Sequence, residues 1–312
     1  MAESFEGKTT DPIPETGMSV IVEPVAATFD IVFIHGFTGH PEHTWAQKIS
    51  PPISYPADHS SKIQRTRWKQ IAANLFSRRQ SVFWPRDVLK HSVPDARVLT
   101  YGYDSHIRHW LGASLNQTTV YDMAWDFLVS LEAYRRQDSS RPLVIVAHSL
   151  GGIIVKEALR RSSQTSHFHI QQVCNSTAGV IFFGTPHSGA DPRNFLCIFA
   201  EKMLRAAGAQ VNDQIIHSLV PSSERLRELR DEFIPMAQER GWLIHSFQEQ
   251  YGVRLLGGKK VVEDTSSYLH APNIEIAEHI GRDHMEMCRF SGREDIEYKK
   301  VESAFQTMNS KI

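Results

Sequence analysis

Four short apolar runs rich in β-branched residues punctuate the chain: residues 30–35, 97–101, 143–147 and 179–183. Each is continuously hydrophobic rather than alternating, which is the pattern of strands covered on both faces. Between them, over residues 68–76 and 121–136, apolar positions recur at helical spacing. Strand following helix following strand predicts a mostly parallel central sheet flanked by helices. A fifth run at residues 242–247 and a weaker sixth at 274–276 extend the pattern, and residues 298–308 predict a closing helix.

Two segments depart from this alternation. Residues 48–66, with Pro51, Pro52 and Pro56, predict a surface loop. Residues 191–240 carry helical patterns at 194–207 and 222–240, too long a stretch for an ordinary crossover. The segment is read as a helical cap over the strand ends, and a pair of helices packed on the sheet edge is the competing reading. There is no internal repeat, low-complexity tract or linker, so one domain over 1–312 is expected. Its core covers about 20–190 and 241–308, with the cap at about 191–240.

Composition narrows the function classes. The 34 Lys and Arg against 35 Asp and Glu leave a net charge of -1, so no global field draws the chain to nucleic acid or an anionic membrane. No stretch approaches the apolar length of a spanning helix. The N-terminus lacks the basic and apolar regions of a secretory signal, and a cytoplasmic location is the expectation. Cys174, Cys197 and Cys288 lack metal or redox spacing and read as buried or free thiols. The pairs His40 and His43, His106 and His109, and His167 and His169 lack the Cys or carboxylate partners of a metal site.

The strongest chemical signal is Ala147-His148-Ser149-Leu150-Gly151-Gly152, which follows an apolar strand and opens a helical pattern. A serine on such a turn is strained and exposed for attack, and the residues two before and two after it must be small. Ala147 stands where a first glycine is usual and still supplies a small side chain. With the elbow at a helix N-terminus, the Leu150 amide is one candidate oxyanion donor. The loop His35-Gly36-Phe37-Thr38-Gly39 follows an earlier strand and makes the Phe37 amide the second.

A serine nucleophile needs a base and an acid, which follow it in that fold in the order acid, then histidine. His284, in the late loop Gly281-Arg282-Asp283-His284, is the expected base, with His279 and His270 as competitors. Asp283, adjacent in sequence to His284, is read as loop-shaping. Glu249, just past the fifth apolar run, is favoured as the acid on position. Asp264 is its rival and Glu263 a weaker third.

The ordered set formed by Asp30–Gly36, Thr100–Asp104, Ala147–Gly152, Phe182–Gly189 and Asp283–Phe290 resembles the lipase-like serine hydrolases. These include the serine-active-site-containing proteins, the GPI inositol-deacylase-like enzymes and the lipase-like domains of fungal signalling proteins. The resemblance implies an α/β-hydrolase fold, no metal or organic cofactor, and a triad of Ser149, Glu249 and His284. It also implies that Gly184-Thr185-Pro186-His187 floors the pocket, with His187 as a structural hydrogen-bonding residue. The expected partner is a small-molecule or lipid-like acyl ester, or a secondary-metabolite thioester. Apolar residues of the cap, Phe195, Leu196, Ile198, Phe199, Met203 and Leu204, suit such an acyl group or simply pack the cap on the body. Acyl transfer to another acceptor begins with the same acylation, and a non-catalytic module on the same fold is the competing class. No repeat array or nucleotide-binding module accompanies the pattern, which favours an independent enzyme.

Overall fold

The computed structural model describes residues 12–49, 81–104, 120–187, 201–203, 205–206 and 223–312. Within them the six apolar runs are strands: β2 (Phe29–Ile34), β5 (Ala96–Gly102), β6 (Leu143–His148), β7 (Thr177–Phe183), β8 (Leu243–Glu249) and β9 (Glu275–Ile280). Together with β1 (Gly17–Val22) they make a seven-stranded sheet in the order β1-β5-β2-β6-β7-β8-β9. Only the pairing of β1 with β5 is antiparallel; every other neighbour pair is parallel.

Side chains of the central strands alternate between two apolar layers, because successive residues of a strand point to opposite faces. On β6, Leu143, Ile145 and Ala147 enter one layer, and Val144 and Val146 the other. The first layer is closed by α2 (Val120–Arg135), α3 (Leu150–Gln164), α4 (Phe168–Ser176) and α5 (Ser223–Glu239). The second is closed by α1 (Trp84–Asp87) and α6 (Ile296–Asn309), whose Trp84, Tyr298, Val301 and Phe305 are buried there. A short antiparallel ribbon pairs β3 (Ala46–Lys48) with β4 (Ser81–Phe83) outside this sheet.

Helix α5 is the described C-terminal part of the segment expected as a cap. Its Leu229, Phe233 and Ala237, four apart, are buried, and Phe233 meets Phe182 of β7 edge-on and tilts against Trp242. It makes the crossover from β7 to β8. Met203 and Ala206 are buried in the same layer, while Phe195, Leu196, Ile198, Phe199 and Leu204 lie outside the described residues, as do the predicted helix at 68–76 and nearly all of the loop at 48–66.

At the N-terminal end of β2, opposite the edge that carries the site, the fully buried Asp30 holds three arginines. Arg97 and Arg141 bond it at 2.8 and 3.1 Å, and Arg135, itself buried, bonds Asp30 and the carbonyl of Arg141. Burial pushes the Arg135 guanidinium down to about 10. Breaking a buried ion pair leaves charges stranded, so Asp30→Asn is expected to lower unfolding free energy by about 3–5 kcal/mol. Denaturant titration would read this, and a loss under about 1 kcal/mol, the scale of an exposed pair, would contradict the stabilising role of this cluster.

Candidate active site

Ser149 joins β6 to α3 with φ 58° and ψ −125°, a left-handed conformation that costs a non-glycine residue about 1–3 kcal/mol. Its amide donates to Phe183 O at 2.8 Å, and its carbonyl accepts from Gly152 N–H at 3.1 Å, so the turn is fixed on both sides. The side chain is fully buried, and Oγ has no hydrogen-bond partner among the described residues. Leu150 is the first residue of α3, where backbone amides have no intrahelical carbonyl to bond.

The loop after β2 presses onto this elbow. A Cβ on Gly36 would stand 2.5 Å from Ser149 Cβ and 3.0 Å from its Oγ, so no larger residue fits without displacing the serine. Gly151 lies against the carbonyl of His35. That histidine is buried; its Nε2 accepts the Tyr103 amide at 3.3 Å, which leaves the proton on Nδ1, 2.9 Å from Gly36 O. The Tyr103 hydroxyl donates to His35 O at 3.0 Å and the rings stack at 4.4 Å. The motif around Tyr103 thus clamps the loop that presents Phe37, itself buried.

Glu249 ends β8, and His284 lies in the loop after β9, the next strand. His284 Nδ1 stands 3.5 Å from Glu249 Oε1 with both side chains buried. That is the outer limit of hydrogen-bond range, and such contacts commonly shorten only when substrate binds. The same Oε1 accepts the Val262 amide. Lys202 Nζ in turn donates to the Lys260 and Val261 carbonyls at 3.0 and 3.2 Å, tethering the loop that carries Val262. Gly184, with φ 51°, backs the imidazole: a Cβ there would stand 2.9 Å from His284 Nδ1. Since Gly184 follows the Phe183 carbonyl that holds Ser149 N–H, serine, histidine and glutamate gather at the C-terminal edge of adjacent strands.

The competing residues are engaged elsewhere. Asp264 is half exposed, bonded to Lys260 at 2.6 Å and His279 at 3.3 Å. Burial pushes its carboxyl up, but the Lys260 and His279 contacts outweigh this and leave it below the usual range. Glu263 is exposed and pairs with Lys202. His270 bonds the Thr265 carbonyl. Asp283 accepts from the Met285 and Glu286 amides at 3.0 and 3.1 Å, so it shapes the turn that carries His284.

One buried group was not anticipated in the sequence. Lys156, on α3, lies 3.2 Å from His187 Nδ1, and His187 N–H donates to Ser266 O at 2.6 Å. No carboxylate within ion-pair distance neutralises Lys156 among the described residues, and burial lowers it to about 7 from its ordinary 10.5. Burial also holds His187 well below the usual imidazole range. The only signal in the sequence is a lysine inside the apolar run that follows the elbow. Unfolded chains bind more protons than folded ones between the two lysine values, so this group makes stability rise with pH from about 7 to 10.5. Lys156→Met is expected to be more stable than the wild type near pH 6, with the difference shrinking toward pH 10. Denaturant midpoints across that range would check this; parallel curves would contradict it.

No group of three or more His, Cys, Asp or Glu placed to hold a metal occurs among the described residues. His40 and His43 stack at 4.2 Å, and His40 Nδ1 accepts the amides of Glu42 and His43, a local turn. His106, His109 and Cys197 lie outside the described residues, while Cys174 and Cys288 are buried free thiols. Among the described residues no helix is long and apolar enough to cross a membrane.

The parallel sheet, the strand–serine–helix elbow and the helices on both faces define the fold of the α/β-hydrolases. No family model matches the chain. In sequence it is similar to Protein SERAC1 of Bos taurus, 25% identical over 228 residues, covering 73% of this chain and 31% of that protein. It is also similar to Protein SERAC1 of Danio rerio, 22% identical over 285 residues, covering 89% and 38%. The chain spans about a third of the length of these curated relatives. In structure it is similar to the mature lipase BlEst2 of Bacillus licheniformis, with TM-score 0.50 and 15% identity over 95% of this chain and 98% of that one.

Proposed function

We propose that the protein is a serine hydrolase that cleaves carboxylic esters or thioesters through an acyl-enzyme. The observation that carries the reading is the buried, unbonded Ser149 Oγ on a strained turn, at the same sheet edge as the buried Glu249 and His284 pair. In this reading Glu249 holds the Nδ1–H tautomer of His284 and leaves Nε2 to take the serine proton. Ser149 Oγ then attacks the carbonyl, and the amides of Phe37 and Leu150 stabilise the oxyanion. The imidazolium returns its proton to the leaving alcohol or thiol. Water, deprotonated by the same histidine, then releases the acid and frees the serine. All proton transfers run through this one imidazole, so no metal or organic cofactor is required.

A lipid-like or secondary-metabolite acyl group is the substrate class we favour. It is supported by the resemblance of the motif set and by likeness in fold to a lipase. Mass spectrometry of the intact protein mixed with p-nitrophenyl esters of increasing acyl length tests the reading. A transient mass gain equal to the acyl group, absent in His284→Ala, is expected, along with faster turnover of medium or long chains. A folded protein that turns over none of these esters and carries no adduct would overturn it. Rates that rise with an added alcohol or amine, with the acyl group found on that acceptor, would assign acyl transfer instead.

A further inference from the structure

His148 is the covalent neighbour of the serine, yet the chemistry above gives it no part. It is the last residue of β6, paired in register with Phe183 of β7, and it is 5% exposed. Its Nε2 lies 3.1 Å from the backbone carbonyl of His284, 136 residues away in sequence. A carbonyl only accepts, so the ring is the Nε2–H tautomer and donates. The two imidazoles sit 4.9 Å apart at a 41° tilt, and the Trp45 indole meets the His148 ring in a T-shaped contact. The titratable groups that bear on His148 are His284, Arg289 and His35. Burial first, then those neighbours, hold it well below the usual imidazole range. The Nε2–H that donates to the carbonyl is present in the neutral ring and would be kept by the protonated one, so the tie does not depend on titration.

The His284 backbone is thereby tied at two points. Asp283 holds the amides that follow it, and His148 holds its own carbonyl. The second tie starts one peptide bond from the nucleophile. Resting on the serine-hydrolase reading, we infer that His148 is a positioning residue that locks the backbone of the base His284 to the elbow carrying Ser149. A displacement of about 1 Å in a reacting group costs on the order of a hundredfold in rate, so a single hydrogen bond at this place matters far beyond its contribution to stability. The tie bears on the chemical step and leaves substrate affinity alone.

The test uses the purified chain and p-nitrophenyl butyrate, comparing His148→Phe, His148→Gln and His148→Asn. Phe fills the space without a donor; Gln carries an amide N–H near the place of Nε2, and Asn one near that of Nδ1. We expect His148→Phe and His148→Asn to lower kcat by about ten- to a hundredfold with KM within about threefold. His148→Gln should recover most of the rate. A packing role would reverse that order, with Phe tolerated better than Gln, and would overturn the inference, as would equal kcat values for wild type and Phe. Nitrogen-15 spectra of the histidines in Ser149→Ala, which need no activity, should show the His148 ring protonated on Nε2; a neutral ring with its proton on Nδ1 alone would overturn it too. Absence of ester turnover by the wild type overturns the hydrolase reading itself. Turnover by the wild type with an undiminished His148→Phe overturns only the role of His148.

Discussion

Ser149→Ala is expected to lower kcat by about 10⁴- to 10⁶-fold, the range seen when a serine nucleophile is removed from an intact triad. The same substitution should leave the fold intact or strengthen it. Ser149 Oγ is buried with no hydrogen-bond partner among the described residues, and an unsatisfied buried hydroxyl costs about 1–3 kcal/mol. Deleting it relieves that cost without touching the backbone bonds from Ser149 N–H to Phe183 O and from Gly152 N–H to Ser149 O. Thermal unfolding and ester turnover measured on one preparation check both halves. Loss of activity with unchanged or raised melting temperature is the expected pair. Activity above about one per cent of wild type would mean that another nucleophile acts, because residual catalysis without the serine falls far below that.

Glu249→Gln is expected to reduce kcat by about 10³- to 10⁴-fold, and Asp264→Asn by less than about threefold. The asymmetry follows from what each carboxylate touches. Glu249 Oε1 faces His284 Nδ1 and accepts the Val262 amide in a buried setting. A glutamine that keeps the Val262 bond through its carbonyl oxygen leaves no carboxylate charge to stabilise the imidazolium formed during acylation. Asp264 is half exposed and already paired with Lys260 and bonded to His279. Steady-state kinetics of the two variants decide between them. Equal losses, or a larger loss at Asp264, would show that the acid reaches His284 from the 260–264 loop during turnover.

The parallel sheet was legible because its strands are buried on both faces, and continuous apolar runs such as residues 143–147 mark that state without help from other signals. Strand β1 was not, because it lies at the sheet edge with half of its residues partly exposed. Strand β9 was weak in the sequence for the same reason: it is the other edge strand, and Ile276, Ala277 and His279 are exposed. The elbow and the loop after β2 were legible since both are local motifs with a fixed spacing. The acid was left between Glu249 and Asp264 because the contact to a histidine in the next loop is a fact of three dimensions, set by the pairing of β8 with β9. The Lys156 and His187 contact and the tie from His148 to His284 O belong to the same class, each joining residues brought together only by the sheet.

The central claim, an activated serine at the elbow, is tested most directly by treating the purified protein with a fluorophosphonate and locating the adduct by peptide mass. The account predicts a single adduct on the peptide that contains Ser149, lost in Ser149→Ala and formed far more slowly in His284→Ala. A folded wild-type protein that takes up no probe, or an adduct on another residue that persists in Ser149→Ala, would contradict it.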